Sequence, residues 1–390
     1  MFFDAYDLVW LLLPLAAASG WFAAKREMRS READFELPSA YFKGLNFLLN
    51  EQPDKAIEVF IQVLEVNSET VETHLALGNL FRRRGEVERA IRIHQNLIAR
   101  PSLDKQQRCH ALLELGQDYM KAGLFDRAEN LFLELADVRA HNEQALRFLA
   151  NIYQQEREWE NAISVSRKLE RASSKSYDDV IAQYYCELAD DLFRANNHAG
   201  ARDYVKKAFA ADRKCVRASI LLGNIEAAAG RHREALRAWR QIEEQDPQYL
   251  GEVAARTAQS YRALSDEEGM YAHFNGLVQR HGEPASMLEL ASIIERRDGP
   301  KAAEEFLLSW QHRRPSVPGL LRLIQLNLAH AEDDVRKQDL TILHGLVARL
   351  AEARKGYTCC ECGFSSRSLY WHCPGCQRWN TVKPVGGELE

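Results

Sequence analysis

Two apolar patterns divide the chain. From Leu8 to Ala24 the run LVWLLLPLAAASGWFAA carries no charged residue and would measure about 25 Å as a helix. Extended back to Phe2 and Phe3 it is long enough to span a bilayer, with Trp10 and Trp21 near the two interfaces. Farther on, small residues recur in pairs twelve positions apart: Gly44/Ala56, Gly78/Ala90, Gly116/Ala128, Ala150/Ala162, Ala189/Ala201 and Gly223/Ala235. Four residues beyond the second member stands an aromatic residue in three cases, Phe60, Phe132 and Trp239, while His94, Ser166 and Val205 depart from that rule. Successive pairs lie 34, 38, 34, 39 and 34 residues apart.

That period predicts tetratricopeptide repeats, each a pair of antiparallel helices. Small residues are needed where the two helices cross, and the large residues fill space against the next hairpin. An ordinary helical bundle would not explain the common period. Two later repeats are degraded: Ala258 with Tyr261 and Phe274 marks one, Ala291 with Ala303 and Pro315 the other. Residues 316–353 read as helical without the motif, which predicts a terminal capping hairpin with a more polar outer face. The two longer spacings place loop-like residues near 99–108 and 170–180.

Charge settles the expected orientation of the first segment. Only Asp4 and Asp7 precede the apolar run, while Lys25, Arg26, Arg29 and Arg31 follow it. A secretory signal would carry its positive charge in front, so the small-residue patch Ala16-Ala17-Ala18-Ser19 is not read as a cleavage site. The segment is expected to be an uncleaved anchor with its N-terminus outside and the remaining chain in the cytoplasm. The whole chain carries a net charge of −5 over 390 residues, with 27% charged and 46% hydrophobic residues. That profile suits neither a nucleic-acid binder nor a disordered protein, and it permits a long continuous core.

Near the C-terminus stand two Cys-x-x-Cys pairs, Cys359/Cys362 and Cys373/Cys376, ten residues apart. Each pair can sit on a tight knuckle, with Gly363 and Pro374-Gly375 where the chain must bend, so that four sulfurs converge on one ion. The segment is too short to bury a core of its own, and metal binding would have to stabilise it. Four thiolates suit iron and zinc alike. Two disulfides are disfavoured because nothing else indicates an oxidising compartment. Cys109, Cys186 and Cys215 read as small buried hydrophobes, Cys360 as a bystander, and His372 as an unneeded substitute ligand. Arg367, Arg378 and Lys383 with Tyr370, Trp371 and Trp379 could in principle meet nucleic acid. Those rings are read instead as the only core available to so small a module.

The expected fold is therefore all-α: a tetratricopeptide-repeat superhelical solenoid with an N-terminal transmembrane helix and a small rubredoxin-like or zinc-ribbon domain. Its parts are an anchor at 1–24, a juxtamembrane linker at 25–36 and about eight repeats at 37–315. Capping helices at 316–353 and the metal domain at 354–390 complete it. No catalytic constellation emerges: there is no phosphate-binding glycine loop, nucleophile elbow or His-Glu-x-x-His motif. The run Arg-Arg-Arg-Gly-Glu at 82–86 reads as a solvated turn between repeat helices. The first helix of each repeat should line the concave face, which offers Asn79, Arg82, Arg83, Gln117 and Asn224 to an extended partner. Charge reversal at Arg82 and Arg83 is expected to weaken partner capture without loss of helicity.

The stretch LALGNLFRRRGEVERAIRIHQNLI, the later AGLFDRAE and YWHCPGC beside the cysteines resemble the lipopolysaccharide assembly protein B family. The resemblance extends over essentially the whole chain. One departure is Gln377 after the second knuckle, where such modules often carry glycine; Cys360 adds a fifth thiol. The resemblance implies a regulator at the bacterial inner membrane, with no enzyme activity of its own. It implies three partners: an FtsH-type membrane protease, the LpxC-type UDP-acyl-N-acetylglucosamine deacetylase presented to it, and an inner-membrane lipopolysaccharide-sensing regulator. It also implies one metal ion, iron or zinc, in a metal module docked at the far end of the groove. A homodimer is expected, and no nucleic acid. Two rival functions stand beside this one: rubredoxin-like electron transfer, and a general membrane-tethered scaffold or chaperone.

Overall fold

The computed structural model describes residues 71–385 except 102, 139–141, 332, 354 and 355, together with helical positions 18, 19, 21, 43, 44, 46, 47, 55 and 59. The expected anchor and the first repeat pair fall largely outside these residues. Among the described residues no helix is long and apolar enough to cross a membrane. The chain divides into two compact units, residues 1–141 and 142–390.

The first unit contains two described hairpins. They pair α1 (Val71–Arg83) with α2 (Val87–Ile98), and α3 (Lys105–Lys121) with α4 (Phe125–Ala136). Asp104 opens α3 with a reciprocal capping box to Gln107, satisfying amide groups that a helix start leaves open. The second unit continues with α5 (Asn142–Gln155) and α6 (Trp159–Ser173), α7 (Asp178–Arg194) and α8 (His198–Ala211), then α9 (Val216–Ala228) and α10 (His232–Arg240). A short α11 (Ile242–Gln245) leads into α12 (Leu250–Ala263) and α13 (Glu267–His281). After these come α14 (Pro284–Asp298), α15 (Pro300–Arg313), α16 (Val317–Ala329) and α17 (Asp334–Ala353). Thus the fold is a helical tetratricopeptide solenoid.

The crossing points follow a size rule finer than the period. The Phe132 ring lies on Gly116, where an added Cβ would stand 2.6 Å from it. His94 lies on Gly78 and Trp239 on Gly223 more tightly still. Where the facing residue is Ser166 or Val205, the helix opposite carries Ala150 or Ala189 instead of glycine. Ring meets glycine and small side chain meets alanine, so the bulkier partner always faces the residue without a Cβ. His94 therefore conforms to the rule it seemed to break. Its Nδ1 also lies 2.5 Å from the Asp118 carboxylate, with both side chains fully buried.

Six hairpin turns carry a residue of positive φ seven positions beyond the first small residue. Gly85, Gly123 and Gly230 serve there with φ between 73° and 83°, while Arg157, Asn196 and Ser265 adopt φ of 60°, 59° and 53°. Glycine takes this conformation without steric cost; an L side chain costs about 1–2 kcal/mol.

The last hairpin differs from expectation. Along α17 only Val347 is fully buried, and Val335, Ile342, Leu343, Leu346 and Leu350 are exposed. Its outer face is thus apolar as well as charged. The helix packs on α16 through one edge, with Val317 and Ile324 against Val347, and no further hairpin covers its other side among the described residues.

Candidate metal centre

The chain closes with β1 (Tyr357–Cys359), β2 (Ser365–Ser366) and β3 (Val382–Pro384), an antiparallel sheet in the order β2-β1-β3. Both cysteine pairs sit on knuckles built alike. The Gly363 amide donates to the Cys359 carbonyl at 3.0 Å, and the Gln377 amide donates to the Cys373 carbonyl at 2.9 Å. Both residues after the second cysteine are left-handed, Gly363 at φ 74° and Gln377 at φ 57°. Gln377 therefore takes the conformation that glycine would supply, so the departure from the usual pattern leaves the knuckle intact.

The four sulfurs of Cys359, Cys362, Cys373 and Cys376 all lie within 4.8 Å of one another. The Cys359–Cys376 and Cys362–Cys373 pairs are 3.7 Å apart. A tetrahedron with metal–sulfur bonds of about 2.3 Å has edges of about 3.8 Å, so the cluster fits one ion of this class. Cys360 is exposed and stands outside the cluster. His372 is no ligand either: its Nε2 lies 2.9 Å from both the Gln377 carbonyl and the Gln154 amide nitrogen, and burial lowers its basicity.

The thiols are not equivalent. The Thr381 hydroxyl, 3.4 Å from Cys359 Sγ, and the amides of Cys362 and Glu361 hold that thiol down, at about 6. The Phe364 amide pulls Cys362 the same way, but burial and the three neighbouring sulfurs outweigh it and push it up to about 11. Cys359 is thus ready as thiolate, and the ion must displace the proton of Cys362. Iron and zinc both suit four thiolates.

The module's two tryptophans do not join its own core, contrary to expectation, whereas Tyr370 packs edge-on against Phe364 within the module. That core is Cys359, Cys373 and Val382, with Tyr357, Phe364 and Cys376 packed against it. Trp371 stacks on Tyr249 with ring centres 5.2 Å apart, and the Arg217 guanidinium lies over its ring at 5.8 Å. Trp379 meets Trp159 and Tyr184 edge-on at 6.1 and 5.6 Å, and its Nε1 donates to Gln154 Oε1 at 2.7 Å. Both tryptophans and Lys383, which pairs with Asp246 at 2.8 Å, are thereby engaged by the repeats. Tyr249 donates to the Val382 carbonyl at 3.2 Å, and Tyr357 to Glu252 at 2.6 Å. Burial raises both phenols well above the ordinary tyrosine range, and raises Tyr184 to about 12, so all three remain donors at neutral pH. The module rests on α5, α7, α9 and the start of α12, chiefly the first helices of four successive hairpins, and also on Trp159 at the start of α6 and on Asp246 and Tyr249 just before α12. It does not sit at the far end of the array.

The expected groove residues fall in two units. In the first, Arg82 is committed internally, to Glu114 at 2.6 Å and Asp118 at 2.9 Å. Arg83 is exposed, Asn79 keeps a buried Oδ1 without a hydrogen bond, and Gln117 donates weakly to Leu113 at 3.5 Å. In the second, Asn224 accepts from Arg256 at 3.1 Å. Reversing Arg82 would set a third carboxylate beside two, so Arg83 alone offers a clean surface test.

Fold and site together define a tetratricopeptide-repeat protein carrying a rubredoxin-type metal module. Residues 73–108, 113–177 and 186–249 match tetratricopeptide repeats, and residues 357–384 match the rubredoxin metal binding domain. The chain is 38% identical over 383 residues to the lipopolysaccharide assembly protein B of Escherichia coli K12, covering 98% of each. It is 35% identical over 393 residues to that of Haemophilus influenzae, covering 98% of this chain and 99% of that one. The chain belongs to the lipopolysaccharide assembly protein B family. Among solved structures, the crystal structure of the MamA protein is similar at 20% identity and a TM-score of 0.33, over 47% of this chain and 95% of that one.

Proposed function

We propose that this chain serves lipopolysaccharide assembly as an inner-membrane adaptor. In this reading residues 1–24 anchor it with the N-terminus in the periplasm, and the repeats and metal module face the cytoplasm. There it presents the UDP-acyl-N-acetylglucosamine deacetylase to an FtsH-type protease, under restraint by a lipopolysaccharide-sensing membrane protein. The observation that carries the reading is near-full-length identity to proteins named for lipopolysaccharide assembly.

The physical logic supports presentation rather than catalysis. A ribbon held by one metal ion covers the first helices of four hairpins, giving a fixed composite surface. Anchoring that surface at a membrane raises the effective concentration of membrane-held partners without new contacts. Pulse-chase measurement of the deacetylase half-life tests it. Depletion of this chain should lengthen the half-life several-fold and let lipopolysaccharide accumulate, whereas an unchanged half-life would reject the reading in favour of a general scaffold.

A further inference from the structure

Beside the docked ribbon lies a groove of about 550 Å³, walled on one side by Leu369 to His372 and floored by Ile220 and Leu221 of α9. Its volume falls in the range of ligand sites. Its charges are unevenly matched. All three of its carboxylates have partners: Glu187 pairs with Arg217 at 2.8 Å, Asp190 with Arg194 at 2.5 Å, and Glu252 accepts from Tyr357. Of its four arginines, Arg157 and Arg256 make no ion pair among the described residues; Glu252 stands one turn before Arg256 but is held by Tyr357, and Arg256 donates to Asn224.

Arg157 stands at a costly position. It occupies the left-handed turn site that Gly85, Gly123 and Gly230 fill in other hairpins, where a long side chain is unfavourable. Both free arginines are exposed and so accessible. Leu369 and the half-exposed Tyr370 offer apolar surface on the ribbon wall, beside the buried floor residue Ile220.

We propose that this groove binds an extended, acidic peptide segment of a partner protein. Its carboxylates would meet Arg157 and Arg256, and its intervening apolar side chains would lie on Leu369 and Tyr370. Alternation of the two kinds of side chain is the natural period of an extended strand, and Asn224 supplies an amide for the peptide backbone. Because one wall immediately precedes Cys373, the site is complete only while the metal holds the ribbon. The inference rests on the adaptor reading and deepens it by giving the place of capture.

The test is fluorescence anisotropy of a fluorescein-labelled peptide of ten alternating leucines and glutamates, titrated with the metal-loaded full chain in detergent micelles. Saturable binding is expected. Arg157→Glu and Arg256→Glu should each weaken it about tenfold or more, with metal content and melting temperature unchanged, while Arg256→Lys keeps most of it. A leucine–lysine peptide should bind at least about tenfold more weakly, and stripping the metal should abolish binding. Amidating the C-terminus separates two sources of the carboxylate: loss of binding assigns the chain end, and retention assigns the side chains. Absence of saturable binding up to about 1 mM, or binding indifferent to both charge reversals, would overturn the proposal. So would equal competition by inorganic phosphate, which would mark a simple anion site. The titration reads the groove alone, so its failure leaves the half-life test of the adaptor reading standing.

Discussion

In the repeats the large rings turn inward: Phe81, Phe132 and Phe274 are wholly buried, and Phe132 and Trp239 lie on the glycine of the helix opposite. In the metal ribbon Trp371 and Trp379 turn outward, onto Tyr249, Trp159 and Tyr184 of the repeats. The difference follows from what each region has to hold it together. A repeat hairpin has no metal to hold it and relies chiefly on packing, ring on glycine or smaller side chain on alanine, at its crossing. The ribbon has four thiolates to bind its loops, so its tryptophans are free to form an interface. A metal-stapled module can thus be small and still carry a large docking surface.

Removing the metal should break that contrast most severely. Structural thiolate sites contribute on the order of 10–16 kcal/mol to the folding of such modules. Chelation, or Cys373→Ser, should unfold residues 357–384 and shift tryptophan emission to the red, as Trp371 and Trp379 leave their partners. The helical circular dichroism of the repeats should remain.

A second prediction concerns the packed interior of the second unit. His273 is pressed between Tyr261 and Phe274, with ring centres at 5.7 and 5.3 Å. Burial, aided by Arg240 and Arg280 and opposed by Glu243, lowers its pKa from 6.5 to about 4. Between those values the unfolded chain binds a proton that the folded one refuses. Stability should therefore fall as pH drops from about 6.5 to about 4, by about 3 kcal/mol from this group. Denaturant titrations of His273→Gln against the parent should show that part of the slope removed; parallel curves would contradict it.

The smallest effect probes the size rule itself. Gly116→Ala should cost about 1–3 kcal/mol by crowding Phe132. In the background of Phe132→Val the same change should cost about 1 kcal/mol less, because alanine facing valine is what Ala189 and Val205 already do. An additive double-mutant cycle, read from urea midpoints, would deny that ring and glycine are matched.

These two regions also differ in how far the sequence disclosed them. The four metal ligands were legible because knuckle spacing is local: all four lie within eighteen residues, Cys359 to Cys376. The repeat period was legible because helix crossings demand small residues at fixed intervals. The pairing of His94 with Gly78 was not, since the pattern was read for aromatic residues and an imidazole fills the same space. The seat of the ribbon left no sequence signal. Gln154, Tyr184, Tyr249, Trp371 and Trp379 are scattered over the chain, and each alone reads as an ordinary core or surface residue. The capping hairpin departs from expectation for a related reason: helical periodicity gives the apolar positions of α17 but not whether anything covers them.

Hydrogen–deuterium exchange with and without metal tests most directly the claim that one ion holds the ribbon against the repeats. On metal removal, exchange should rise throughout residues 357–384 and also along α5, α7, α9 and the start of α12, while α14 to α16 stay as protected as before. Faster exchange confined to the ribbon, with those first helices unchanged, would contradict the account.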